Sequence, residues 1–151
     1  MQPKMAKAAK VARNESTAAQ IRGGTLRFYA GVEPDDIDNA IGERPELVRV
    51  EIPDSKLAVR ADSAGVLARG LAKAVVAAEG EPTFYRFCGR EGNAVLQGPV
   101  VTGEAAARAF EKVHTFRGVA IDIPHLYRGM EFELPEIRVM LGGVGGMGAG
   151  A

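Results

Sequence analysis

The strongest constraint on this chain is how its apolar residues are broken up: short runs of period two, each closed by glycine or proline. Gly23-Gly24 opens Thr25-Leu26-Arg27-Phe28-Tyr29, and Pro45 precedes Leu47-Val48-Arg49-Val50-Glu51-Ile52, which stops at Pro53. In the second run Val48, Val50 and Ile52 fall on one face and Arg49 and Glu51 on the other, as in a half-buried strand. Thr83 to Cys88 and Asn93 to Gln97 flank Gly89-Arg90-Glu91-Gly92, which reads as a hairpin with a four-residue loop. Val119 to Ile123 ends at Pro124. Met130 to Leu134 and Glu136 to Leu141 alternate charged with apolar side chains around Pro135, which marks an edge or a bulge. Such runs predict an all-β domain, an antiparallel β-sandwich. At 151 residues the chain suffices for one domain that hides about two-thirds of its unfolded surface.

Residues 25–141 form this expected body, and the two ends differ from it. Residues 1–24 hold Lys4, Lys7, Lys10, Arg13 and Arg22 against Glu15 alone, and their apolar residues are mostly alanine. Alanine favours helix but removes little area from water when buried. The segment therefore reads as an extended N-terminal arm, helical or not, that needs a partner surface to become ordered. Residues 142–151 are a glycine-rich C-terminal tail, too costly in backbone entropy to hold regular structure alone. Two further stretches interrupt the strand pattern. Residues 62–80 fit a helix capped by Asp62 and stopped by Gly80, yet Gly65, Gly70 and Val75-Val76 suit strands equally well. Residues 103–113 read as a short helical insertion.

Composition narrows the function classes. Lys and Arg number 19 against 19 Asp and Glu, so no basic surplus marks a general nucleic-acid binder. The basic start is not followed by a continuous apolar stretch, and no run approaches the length that crosses a bilayer. The expectation is a soluble chain with no membrane and no direct nucleic-acid partner. One cysteine precludes an internal disulfide and a four-thiolate zinc site.

Candidate chemistry is sparse. Cys88, His114 and Asp122 can be written as a nucleophilic site, with His125 as the other available base, but no local motif surrounds Cys88. The plainer reading is a small apolar side chain at the edge of a core. The two histidines, eleven positions apart, lack metal-ligand spacing. Glu33, Asp35, Asp36 and Asp38 crowd six positions, but no EF-hand register begun on them has glycine at its sixth position, which leaves a solvated acidic loop. Opposite charge pairs this loop with a basic arm, Lys4, Lys7, Lys10 and Arg13, of a neighbouring copy, although exposed pairs contribute only about 0–1 kcal/mol each. Phe28, Tyr29, Tyr85 and Tyr127 can stack on a sugar ring, though core packing suits most of them better. The terminal glycines have no helix after them and make no nucleotide loop. No cofactor is implied.

Three segments, in order, resemble a group of small virion proteins of tailed bacteriophages. The first is Gly24-Thr25-Leu26-Arg27-Phe28-Tyr29-Ala30-Gly31, then Pro34 and Asp38-Asn39-Ala40-Ile41-Gly42, with Ala12-Arg13-Asn14-Glu15 as the short lead before it. The second is Thr83-Phe84-Tyr85-Arg86-Phe87, then Gly92, Val95-Leu96-Gln97-Gly98 and Val100. The third runs from Ile121-Asp122-Ile123 through Gly129 and Phe132 to Ile137-Arg138-Val139. Together they cover about half the chain. Residues 54–80, 103–117 and the glycine-rich tail depart from the group's pattern. The resemblance implies a jelly-roll-like sandwich, not an enzyme, made in the bacterial host cytoplasm. It would act as a cement or decoration protein on the phage head, bound to the major capsid protein and to other copies of itself. A tail, neck or baseplate component on the same fold is the alternative, and a small Cys/His hydrolase the alternative of another class.

Overall fold

The computed structural model describes residues 4–54, 59–102, 119–121, 124–134 and 136–141. It is mostly β, with a single helix among the described residues. β1 (Thr25–Tyr29), β2 (Glu46–Glu51), β6 (Phe84–Cys88), β7 (Ala94–Val101) and β8 (Val119–Ala120) form one sheet in the order β2-β1-β6-β7-β8. β3 (Val59–Ala61), β4 (Gly65–Arg69) and β10 (Glu136–Met140) form a second in the order β10-β4-β3, and β5 (Ala74–Val75) pairs with β9 (Glu131–Phe132). Every pairing is antiparallel except that of β7 with β8. The hairpin expected around residues 89–92 joins β6 to β7, closed by the Gly89 N–H on the Asn93 carbonyl at 2.9 Å.

Alternation in the sequence becomes two-faced burial in the sheet. Leu26 pairs with Val50 and Phe87, and Phe28 with Val48 and Tyr85. These side chains belong to one core with Val59, Val66, Ala68, Ile137 and Val139 of the second sheet. Burying each large apolar side chain contributes about 1.5–3 kcal/mol, so this shared core is the main stabilising element. Gly24 fits only as glycine: a Cβ there would stand 1.9 Å from the Cys88 carbonyl oxygen.

The stretch 62–80 forms strands. Asp62 accepts the N–H groups of Ala64 and Gly65, each at 2.9 Å, as a helix cap would. The chain then turns back instead of coiling, since the Asp62 N–H reaches the Gly65 carbonyl at 3.0 Å and β4 pairs with β3. At Gly70, φ is +70°, outside helical geometry, and the β-branched Val66 and Val75 lie in strands. The helical insertion expected at 103–113 and the tail 142–151 lie outside the described residues.

The N-terminal segment differs most from expectation. Residues Lys7–Ile21 form α1, packed on β3 and β4 of the same molecule. Ala18, Ile21 and Asn14 are fully buried, and Ala18 and Ile21 join the core. The Asn14 amide donates to the Asp62 carbonyl at 2.5 Å, and Arg22 donates to the Val59 carbonyl at 2.8 Å. A buried amide left unmade costs about 1–3 kcal/mol, so Asn14 fixes where the helix sits. The helix is thus seated on its own sheet rather than waiting for a neighbour. Lys4 and Lys7 remain exposed at its start.

Asp62 also ties β10 to this corner through Arg138 at 2.8 Å. Burial alone would push its carboxyl up, but the bonds from Gly65 and Ala64 and the Arg138 guanidinium outweigh that and hold it below its ordinary value. A carboxyl so lowered stabilises the fold above the ordinary carboxylate range and loses that contribution as pH falls through it, between about pH 5 and 2. Asp62→Asn keeps the turn's acceptor and deletes the charge. Urea unfolding should find the variant about 1 kcal/mol weaker at neutral pH and converging with the parent near pH 2.

Candidate interaction surface

The first sheet has a second, outer face, and that face gathers polar side chains in a row. Alternation turns Arg49, Arg27, Arg86 and Gln97 away from the core, and the register sets them opposite one another across β2, β1, β6 and β7. Arg86 is 6% exposed, in a strand whose five residues are all buried. A buried guanidinium is tolerated only when its N–H groups are bonded. Its Nε donates to the Gln97 Oε1 at 2.7 Å and its Nη2 to the Asn39 carbonyl at 2.8 Å.

Asn39 belongs to the loop joining β1 to β2, and the row is where that loop rests. Gln97 donates its Nε2 to the Pro34 carbonyl at 2.9 Å and to the Glu33 carboxylate at 3.2 Å. Arg44 bonds the carbonyls of Val32 and Ile41 from within, and Thr83 donates to the Gly31 carbonyl at 2.5 Å. Hydrogen bonds to charged groups contribute about 1.5–3 kcal/mol each, enough to hold this part of the loop in one place. Under it, Tyr29 stacks on Phe84 with centroids 5.0 Å apart. Burial first, then the Glu46 carboxylate, raises the Tyr29 phenol, with Arg27 opposing.

The predicted acidic group is therefore divided. Glu33 is half-buried and bonded to Gln97. Asp35, Asp36 and Asp38 project into solvent. The Asp36 carboxylate accepts the Asp38 N–H at 2.8 Å, a turn that fixes the loop's tip. The basic group is divided as well. Lys4 and Lys7 are exposed, Lys10 is half-buried, and Arg13 is occupied by the Asn14 side chain and the Leu141 carbonyl. Loop and helix are not brought together within one molecule: the loop lies on the outer face of the first sheet and the helix on the core side, against β3 and β4.

The other candidates scatter. Cys88 is buried on the outer-face side of β6, opposite Thr25. Burial drives its thiol up, against the pull of Arg27, Arg86 and Arg49, the reverse of what a thiolate nucleophile needs. His125 bonds Glu79 at 3.2 Å and packs on Tyr127 at 4.6 Å, so it orients nothing toward Cys88. His114 and Asp122 lie outside the described residues. Phe28, Tyr29 and Tyr85 are buried, while Tyr127 is 57% exposed. Among the described residues, no three His, Cys, Asp or Glu side chains group as metal ligands do, and no helix is long and apolar enough to cross a membrane. The arginine row leaves no pattern in the sequence, because its members are separated by 22 to 59 positions and meet only through strand order.

A thiol reagent at neutral pH should label native Cys88 at least about a hundredfold more slowly than the urea-unfolded chain. Comparable rates in both states would contradict this placement. No protein-family model, curated protein or solved structure matches the chain.

Proposed function

We propose that the chain is a structural protein of a tailed-bacteriophage virion, a cement or decoration protein on the head. It docks on the major capsid protein and clamps adjacent capsid subunits. The observation that carries this reading is the placement of charge: an acidic loop anchored on an arginine row at one face, and exposed lysines before and at the start of a helix seated at another. Two separated charged surfaces on one braced body suit a part that bridges neighbours. In a lattice many weak contacts sum, because each neighbour holds the next at high effective concentration. The resemblance supports the same reading, since its first two segments are the strands β1, β6 and β7 and the loop that rests on them.

On this proposal the two larger sheets are the layers of a jelly-roll-like sandwich, a reading supported by their common core. Docking is non-enzymatic and needs no cofactor. The exposed lysines at the start of α1, Lys4 and Lys7, meet acidic capsid surface, and the loop acids meet basic surface.

Purified virions test this by stoichiometry. The chain should be present at a copy number approaching that of the capsid subunit. Lys4→Gln with Lys7→Gln should lower head occupancy several-fold at moderate salt while leaving the fold intact, because both side chains are exposed. A copy number of a few per particle would move the protein to the tail, neck or baseplate. Absence from particles would end the reading.

A further inference from the structure

The start of α1 carries charge that no carboxylate among the described residues neutralises. A helix start favours anions and disfavours cations. α1 has no acidic residue in its first turn, and its N-cap residue, Ala6, makes no side-chain capping bond. Lysines stand there instead: Lys4 just before the helix and Lys7 at its first position, both exposed, with Lys10 half-buried beyond them. None of the three forms an ion pair among the described residues. The acid of the helix itself, Glu15, lies further along it, 3.8 Å from Arg22. Asp62, in the turn beside Asn14, is taken by Arg138 and by its own backbone N–H groups.

The 30–45 loop is the converse. Asp35, Asp36, Asp38 and Glu43 are exposed and in no ion pair among the described residues. The arginine of the loop, Arg44, donates to the Val32 and Ile41 carbonyls, and Arg86 beneath it donates to Gln97 and to the Asn39 carbonyl. Neither is spent on a carboxylate of the tip. With Glu33, the loop holds five acids against Arg44 and the buried Arg86, so its exposed surface is acidic.

We propose that the chain associates head to tail, with Asp35, Asp36 and Asp38 of one copy meeting Lys4 and Lys7 of the next. Within one molecule the two groups do not meet, because the loop rests on the outer face of the first sheet while the helix packs against β3 and β4. A second copy brings the missing counter-charge to both: carboxylates to a helix start that has none, and cations to a loop whose own arginines are turned to carbonyls. Each contact leaves a loop free on one side and a helix start free on the other, so the interface is heterologous. It closes into a ring where the rotation between copies allows, and otherwise runs on as a chain. The inference does not rest on the virion reading, because it concerns the purified chain; on a head, acidic capsid surface would compete for the same lysines.

Sedimentation of the full chain over a concentration series, at low and high salt, tests it. At low salt the average mass of the parent should rise with concentration past that of a dimer, and at high salt it should fall back. Lys4→Gln with Lys7→Gln should weaken association about tenfold or more, and so should Asp35→Asn, Asp36→Asn and Asp38→Asn together. All five side chains are exposed, and Asn at position 36 keeps the acceptor for the Asp38 N–H, so both variants should fold. Each variant keeps the end that the other lacks, so an equal mixture of the two should form pairs and nothing larger. A parent that stays monomeric at low salt, variants that associate as the parent does, or a mixture that fails to pair would overturn the proposal. So would association lost with the lysines but indifferent to the loop, which would place their acidic partner elsewhere on the chain.

Discussion

A strand buried on both faces cannot leave its polar groups unattended, and β6 is such a strand. One face of β6 belongs to the core through Tyr85 and Phe87, and the other carries Phe84, Arg86 and Cys88. Because Arg86 is charged and out of water, its guanidinium must be met by oxygen from somewhere. Gln97 on the neighbouring strand and the backbone of Asn39 supply it. The second of these bonds, with those of Gln97 to Pro34 and Glu33, seats residues 30–45 on the outer face. Tyr29 and Phe84 lie buried on that face, and three aspartates are held out from the loop. Much of the outer surface follows from one buried charge.

The same principle operates at the opposite side with a neutral group. Asn14 is the fully buried polar side chain of α1, and its bond to the Asp62 carbonyl registers the helix against the β3–β4 turn. Asp62 in turn holds that turn through two backbone N–H groups and reaches Arg138 on β10. Helix, turn and final strand are thereby joined at one corner. Lys7 projects from the first turn of a seated helix and Lys4 stands just before it, so the Lys7 charge is presented at a defined place with little further loss of backbone entropy on docking. The loop acids share that property.

Strands that alternate cleanly are legible in the amino-acid order alone: β1, β2, β6, β7, β9 and β10 fall where period-two runs meet glycine and proline. Asp35, Asp36 and Asp38 are legible as solvent-facing, and Phe28 and Tyr85 as core. What is not legible depends on pairing. Val11, Asn14, Ala18 and Ile21 do form a helical stripe, but an asparagine in its middle and alanine beside it make the segment look too polar to bury. Asp62 carries a capping signal that a helix and a tight hairpin share, and only the Asp62 N–H on the Gly65 carbonyl and the positive φ of Gly70 decide for the hairpin. The arginine row has no sequence signature, because strand order, not spacing, makes Arg27 the neighbour of both Arg49 and Arg86.

The central claim is that Arg86 seats the acidic loop. Hydrogen exchange on Arg86→Met tests it directly, since methionine keeps the bulk of the side chain and removes its donors. The amides of Asp38 and Asn39, bonded now to the Asp36 carboxylate and carbonyl, should lose protection while those of Leu26, Phe28 and Phe87 keep theirs. Unchanged protection across the loop in the folded variant would contradict it.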